Sequence, residues 1–182
     1  MKREKARVAF EELVAENESQ AQLIELLHEQ VRTDRLTGIY NMVAMEEHIA
    51  ASRYEGYYVF ADLDEMGKRN KSCGHDRVNK YIAEFGQWLR ATTRGIRGNT
   101  PCDAIAIRKH GDEFLVWCSS KRGSIAIRNR IRQWTSKDKT VTCSAGIGRD
   151  VKTADLNCSR FKKTRKQNVL PQRKAKSKRL HN

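Results

Sequence analysis

The chain has 182 residues, five scattered cysteines with no CxxC pair, and a formal net charge of +14. That length gives one domain of ordinary size plus extensions, with a core able to fold without disulfides or a structural metal, so Cys73, Cys102, Cys118, Cys143 and Cys158 read as reduced thiols of a cytosolic protein. No secretory signal opens the chain and no apolar run approaches the ~20 residues that span a bilayer, so a cytoplasmic location is expected.

Residues 4–31 lack Gly and Pro and are rich in Glu, Ala, Leu and Gln, which predicts a helix. Phe10, Leu13, Ile24, Leu27 and Val31 fall at a and d positions of a heptad, with Asn17 at a and Gln20 at d between them. A coiled-coil dimer, with the polar a residue setting its register, is one reading. An amphipathic helix lying on its own domain is the other. Residues 1–32 are thus set apart from a domain over 33–168. Gly38 breaks the helix, and a second helix is expected over about 42–53. Gly56 introduces the apolar run Tyr57 to Phe60, which continues through Ala61-Asp62-Leu63-Asp64; this is a buried strand delivering two acids at its end. Gly74 punctuates before a helix over about 76–93, whose stripe is Val78, Ile82, Phe85 and Leu89.

The stretch 95–101 reads as a loop. Strands are expected over 104–108 and 113–118, joined by the hairpin turn Lys109-His110-Gly111-Asp112. A helix over 123–134, a strand over 140–147 and a last helix over 154–166 follow. This order implies an α+β fold, an antiparallel-containing sheet with helices packed on it. From Lys162 to Asn182 there are nine Lys and Arg and no Asp or Glu; subtracting those nine from +14 leaves +5 for the rest. Residues 169–182 hold too few apolar residues to fold alone. They read as a basic tail, either a solvated flexible end or an arm for RNA, DNA or an anionic lipid surface.

Two acidic turns carry the chemistry. Asp62 and Asp64 end one strand, and Asp112 and Glu113 lie in a hairpin turn. If the strands are neighbours, the carboxylates converge at one edge of the sheet. Hard divalent cations prefer oxygen ligands and keep water positions for substrate phosphates, so two acids from separate strands with lysines nearby suit nucleotidyl transfer. Spacing alone leaves solvated turns as the other reading.

Five segments, in order, resemble the motifs of GGDEF-type domains, the palm-like fold of diguanylate cyclases. Asp34-Arg35-Leu36-Thr37-Gly38-Ile39-Tyr40-Asn41 is similar to DxLTGLxN. Asp62-Leu63-Asp64-Glu65-Met66-Gly67-Lys68-Arg69-Asn70 with Gly74-His75 is similar to DxDxFKxxND…GH. Arg108-Lys109-His110-Gly111-Asp112-Glu113-Phe114 is similar to RxGGDEF, Val141 to Gly148 to VTxSxGIA, and Ala154-Asp155 with Lys162 and Lys166 to ADxALYxAKxxGRN. The resemblance covers roughly residues 33–168. It implies a central mixed sheet flanked by helices, a homodimer, and condensation of two GTP into cyclic di-GMP with loss of pyrophosphate, using Mg²⁺ or Mn²⁺. By position, Asp62 and Asp112 are implied as metal ligands with the Leu63 carbonyl. Glu113 is implied at the metal or in deprotonating the attacking hydroxyl, Asn70 and Asn79 with His75 and Gly111 at the nucleotide, and Lys162 and Lys166 at the phosphates.

The sequence departs from these motifs at identifiable places. His110 stands where the first Gly of GGDEF belongs, adding either bulk or a donor at the turn. Asn79 stands where the family has Asp, and an amide fits an adenine edge better than a carboxylate does, so ATP is a second candidate substrate. Gly67, Lys71 and Cys158-Ser159 also depart, and Lys166 replaces Arg, turning a bidentate phosphate contact into a point charge. The inhibitory RxxD position reads Pro101-Cys102-Asp103-Ala104, so no product-inhibition site of that kind is expected. Three readings stand: a cyclase with relaxed base specificity, a degenerate domain that binds a nucleotide, cyclic dinucleotide or protein partner, and a nucleic-acid-associated protein using its tail.

Overall fold

In the computed structural model, residues 2–51, 55–94 and 104–178 are described, with side chains through residue 167 apart from a few. The stretch 95–103, with the Pro101-Cys102-Asp103 part of the inhibitory-motif position, lies outside the described residues, as do 52–54 and 179–182. The chain falls into two units, Met1–Thr33 and Asp34–Asn182.

The first unit is one helix, α1 (Lys2–Arg32). Its heptad residues are exposed, from 50% at Leu27 to 66% at Phe10. Thr33 Oγ1 donates to the Glu29 carbonyl at 2.8 Å, satisfying a carbonyl at the helix end.

The second unit opens with α2 (Met42–Ala51), begun by Asn41, whose Oδ1 accepts from the backbone N–H groups of Val43 and Ala44. Then come β1 (Tyr57–Leu63), α3 (Met66–Arg94), β2 (Ala104–His110), β3 (Glu113–Cys118), α4 (Lys121–Gln133), β4 (Cys143–Gly148) and α5 (Val151–Lys178). The four strands form one sheet in the order β2-β3-β1-β4, and every strand pair is antiparallel. The mixed character expected of the sheet is confined to the isolated parallel bridge Tyr40–Ile107. Helices α3 and α4 are the two crossovers of a β-α-β-β-α-β unit.

Strand alternation divides the core into two layers. Val59, Ala61, Leu63, Phe114 and Val116 pack with Phe85, Leu89, Ile127 and Ile131 on the α3–α4 side. Tyr58, Phe60, Ile107, Leu115 and Trp117 pack with Met45, Ala154 and Cys158 on the α2–α5 side. With both faces covered, β1 is buried along most of its length, which is why its sequence is apolar rather than alternating.

Three helices of the second unit begin earlier than the sequence predicts. Helix α3 starts at Met66, and Gly74, with φ 78° and ψ 168°, divides it: the helix expected from about residue 76 follows the glycine, and a further helical stretch from Met66 precedes it. Residues 66–73 lack an apolar stripe, and Met66 is the buried anchor of that first stretch. Helix α4 starts at Lys121 because Ser120 caps it, its Oγ accepting from the Gly123 N–H at 3.1 Å. Helix α5 starts at Val151 because Asp150 accepts from the Thr153 N–H and hydroxyl at 2.7 and 2.8 Å. At its other end α5 runs to Lys178, past residue 168 and into the segment set apart as a basic tail. Extending an existing helix costs far less than nucleating one.

Helix α5 lies directly on β4. A Cβ on Gly146 would stand 2.1 Å from the Cys158 nitrogen, and one on Gly148 2.4 Å from the Ala154 nitrogen. Among the described residues no helix is long and apolar enough to cross a membrane.

Candidate active site

The acids meet where β1, β3 and β4 end together. Asp62 is the register partner of Glu113 on β3 and of Ser144 on β4. The Leu63 N–H donates to the Asp112 carbonyl at 3.2 Å, joining the end of β1 to the hairpin turn. Asp62 shares strand parity with Phe60, so its side chain lies on the α5 face. Lys162 of α5 reaches it, Nζ to Oδ1 at 2.6 Å. Burial pushes the Asp62 carboxyl up; Lys162 acts downward, and the nearby Asp112 and Asp64 charges push up again. Burial acts against the Lys162 ammonium, but its bond to Asp62 and the charges of Asp62 and Asp64 outweigh that and hold it above the usual lysine value.

The turn is tighter than the sequence predicts. Strands β2 and β3 run to His110 and from Glu113, with an irregularity between Arg108 and His110, so only Gly111 and Asp112 turn the chain. Gly111 has φ 51°, a left-handed conformation that glycine adopts without strain. Arg108 secures the turn: its Nε and Nη2 donate to the Gly111 carbonyl at 3.0 and 2.9 Å. Its Nη1 donates to both oxygens of Asp34 at 3.1 and 3.0 Å. Burial pushes Asp34 up, but hydrogen bonds from Thr37 and Arg108 outweigh it and hold the carboxyl below its usual range. Glu113 is gripped twice on Oε2, by Lys109 Nζ at 2.9 Å and His110 Nε2 at 3.2 Å.

Asp62, Leu63, Gly111, Asp112, Glu113 and Lys162 are therefore neighbours at one sheet end. The other residues singled out lie around this centre. Lys166 is exposed on α5, with its charge acting on Glu65 in the turn after β1. Asn70 Nδ2 donates to His75 Nε2 at 3.2 Å across the Gly74 kink, while Asn70 Oδ1 is buried without a partner. An orphaned buried acceptor is the kind of group a ligand N–H satisfies. Asn79 is exposed on the second half of α3. Among the described residues no hydrogen bond or ion pair joins Asn70, His75 or Asn79 to the acids.

Sequence reasoning left Asp64 without a role. Its carboxylate accepts from Thr142 Oγ1 and Ser144 Oγ, both at 2.7 Å, and from Arg165 Nη1 at 2.8 Å. The Asp34–Arg108 pair and the Lys109 grip on Glu113 were also not anticipated. Asp34, Arg108 and Ser144 all lie inside the recognised motifs, which was the available signal.

Among the described residues no group of three or more His, Cys, Asp and Glu is gathered as a metal cage. The oxygens that could hold a cation at this sheet end are those of Asp62, the Asp112–Glu113 turn and the Leu63 carbonyl. That fits Mg²⁺, which protein sites hold through one or two carboxylates plus water and substrate phosphates. Burial first, and then the charges of Asp112 and Asp64, push the Asp62 carboxyl up, and a bound cation would offset both.

A β-α-β-β-α-β sheet with acids at the ends of β1 and in the β2–β3 turn is the arrangement of a nucleotidyl-cyclase-like domain. The family model for the diguanylate cyclase GGDEF domain matches residues 31–169, and the chain belongs to this family. No curated protein matches. Among solved structures, the diguanylate cyclase SiaD of Pseudomonas aeruginosa, in complex with its activator SiaC, is 21% identical with a TM-score of 0.60, over 90% of this chain and 72% of SiaD. The coiled coil and GGDEF domain of DgcB from Caulobacter crescentus, in complex with c-di-GMP, is 21% identical with a TM-score of 0.53, over 79% of this chain and 81% of that one. A sensory box/GGDEF family protein of C. crescentus is 22% identical with a TM-score of 0.50, over 73% of this chain and 99% of that one. At these identities the likeness is one of fold.

Proposed function

We propose that the chain is a nucleotidyltransferase of the diguanylate cyclase type, condensing two GTP into cyclic di-GMP with release of pyrophosphate. The observation that carries this reading is the meeting of Asp62 with the Asp112–Glu113 turn, with Lys162 bonded to Asp62 at 2.6 Å. Asp62, Asp112, Glu113 and the Leu63 carbonyl would hold Mg²⁺ or Mn²⁺, which supplies neutralisation of the triphosphate and polarisation of its α-phosphate. Lys162 leaves Asp62 for the phosphates, and Lys166 supports them from the next turn of α5. Glu113 accepts the proton of the attacking 3′-hydroxyl once Lys109 and His110 release it. Asn70 reads the base, and its orphaned Oδ1 suits a guanine N–H donor. Asn79, an amide in place of a carboxylate, admits ATP beside GTP. Each subunit of a homodimer, paired through α1, supplies half of the site.

A second reading rests on the same turn. His110 and Lys109 both engage Glu113, the group meant to take a proton. In a degenerate domain that grip is permanent, and the chain binds a nucleotide or cyclic dinucleotide without turnover.

The test is incubation of the full chain with GTP, ATP and both together, with Mg²⁺ or Mn²⁺, and chromatography of the products. The cyclase reading expects a cyclic dinucleotide that Asp112→Ala reduces at least ~100-fold, the scale on which losing a group that stabilises transition-state charge is felt. No dinucleotide under any condition, with nucleotide still bound in calorimetry, selects the binding module.

A further inference from the structure

Helix α5 delivers three cations to the acidic end of the sheet. Lys162 is bonded to Asp62, Arg165 to Asp64, and the Lys166 charge acts on Glu65. The spacing of three and four residues puts them on adjoining turns of one helix face. Lys162 and Lys166 are already assigned to phosphates by the reading above. Arg165 is not, and nothing in the recognised motifs calls for a cation there: the motif has Gly at that place.

The Arg165 guanidinium is built into its position rather than lying on the surface. Asp64, its partner, has only 14% of its side chain exposed, and two hydroxyls, those of Thr142 and Ser144, fix its oxygens at 2.7 Å each. The Asp64 N–H is in turn tied to the Thr142 carbonyl at 2.8 Å. Asp64 thus accepts from three protein donors, two of which fix its oxygens while it orients the arginine. That arginine uses one nitrogen for the contact: among the described residues only Nη1 has a partner, and 36% of the side chain is exposed. A planar guanidinium anchored on one nitrogen still offers Nε and Nη2, the donors that grip a phosphate or carboxylate in parallel. A strut serving α5 packing alone would not need them, because Gly146 and Gly148 already seat the helix on β4.

We infer that Arg165 is a further phosphate-binding residue, held by Asp64 as a fork for the terminal phosphates of a triphosphate or for the pyrophosphate product. This inference rests on the reading of the site as a triphosphate site. It supplies, one residue away, the bidentate contact that the flexible ammonium of Lys166 does not make.

The experiment measures calorimetric affinity of the full chain for inorganic triphosphate and for pyrophosphate, without divalent metal, beside thermal melting. Wild type is compared with Arg165→Lys, Arg165→Gln and Asp64→Asn. The expected order of affinity is wild type, then Lys, then Gln, with a loss of about tenfold for Gln, the worth of a charge-assisted hydrogen bond. Asp64→Asn weakens binding by releasing the fork. Equal affinity in wild type and both Arg165 variants, or no triphosphate binding by wild type, overturns the inference. Should Arg165→Gln fail to fold, wild type against Arg165→Lys decides, and equality is again fatal. The outcome is separable from that of the cyclase reading. Arg165-dependent triphosphate binding with no dinucleotide product ends the cyclase and leaves this site. Dinucleotide formation with triphosphate affinity indifferent to Arg165 does the reverse.

Discussion

Asp138, away from the acids, ties two elements together through a single carboxylate. It accepts from Ser136 Oγ at 2.6 Å, from Tyr81 Oη at 2.7 Å, from the Thr140 hydroxyl at 2.8 Å and N–H at 3.1 Å, and from Arg77 Nη2 at 3.0 Å. These bonds, led by Ser136, then Tyr81 and Thr140, hold its carboxyl far below the ordinary aspartate value of 3.8. They join the second half of α3 to the loop before β4, and Arg69 of the first half donates to the Thr140 carbonyl in the same loop. A depressed carboxyl contributes stability that is present above its unfolded value and lost as pH falls through its folded value. Asp138→Asn is therefore expected to melt below wild type at pH 7, with the gap closing as pH drops below about 4. Melting curves taken across that range check this; a gap independent of pH removes the ionised carboxylate from the account.

At the scale of elements, the decisive contact is α5 on β4. Lys162 reaches Asp62 and Arg165 reaches Asp64, with the Lys166 charge near Glu65, because two glycines let the helix backbone lie against the strand. Gly146→Val puts carbon where the Cys158 nitrogen and Ala154 carbonyl stand, so the helix must lift. The expected loss is at least about 2 kcal/mol of stability by denaturant unfolding. Triphosphate affinity should fall with it, because the three cations move together. Unchanged affinity would mean that the cations find the site independently of how α5 is seated. The hairpin turn is held in an analogous way, with Arg108 bridging Asp34 and the Gly111 carbonyl. The segment that follows α1 is thus linked by one guanidinium to the turn that carries Asp112 and Glu113.

For the molecule as a whole, the described apolar residues of α1 are exposed along its length, and the proposed reaction would use two nucleotide sites. Besides the heptad seam, Val14, Leu23 and Leu26 are exposed, so apolar surface extends to both sides of it. Exposed apolar residues repeated along a helix call for a partner helix. Deleting residues 1–32 should convert a dimer to a monomer by light scattering and make dinucleotide formation rise steeply with protein concentration, since two half-sites must then meet by diffusion. A truncated chain that remains dimeric at the same concentration moves the pairing surface off α1.

Most of the element order was legible in the sequence, because apolar periodicity, the glycines at 38, 56, 74 and 111, and the motif order report local backbone preference and burial. Helix starts were less so: Ser120 and Asp150 act through caps, and residues 66–73 form helix without an apolar stripe, so neither announces itself by pattern. The sequence by itself determined that acids fall at the end of one strand and in one hairpin turn, since strand patterning and turn glycines are local properties. Only the tertiary structure decided who holds whom: Asp64 with Arg165, Asp34 with Arg108 and Glu113 with Lys109 join residues by strand register and helix seating. Except for the four-residue step from Lys109 to Glu113, those pairings span 74 to 101 residues of chain, a separation across which no local pattern carries information.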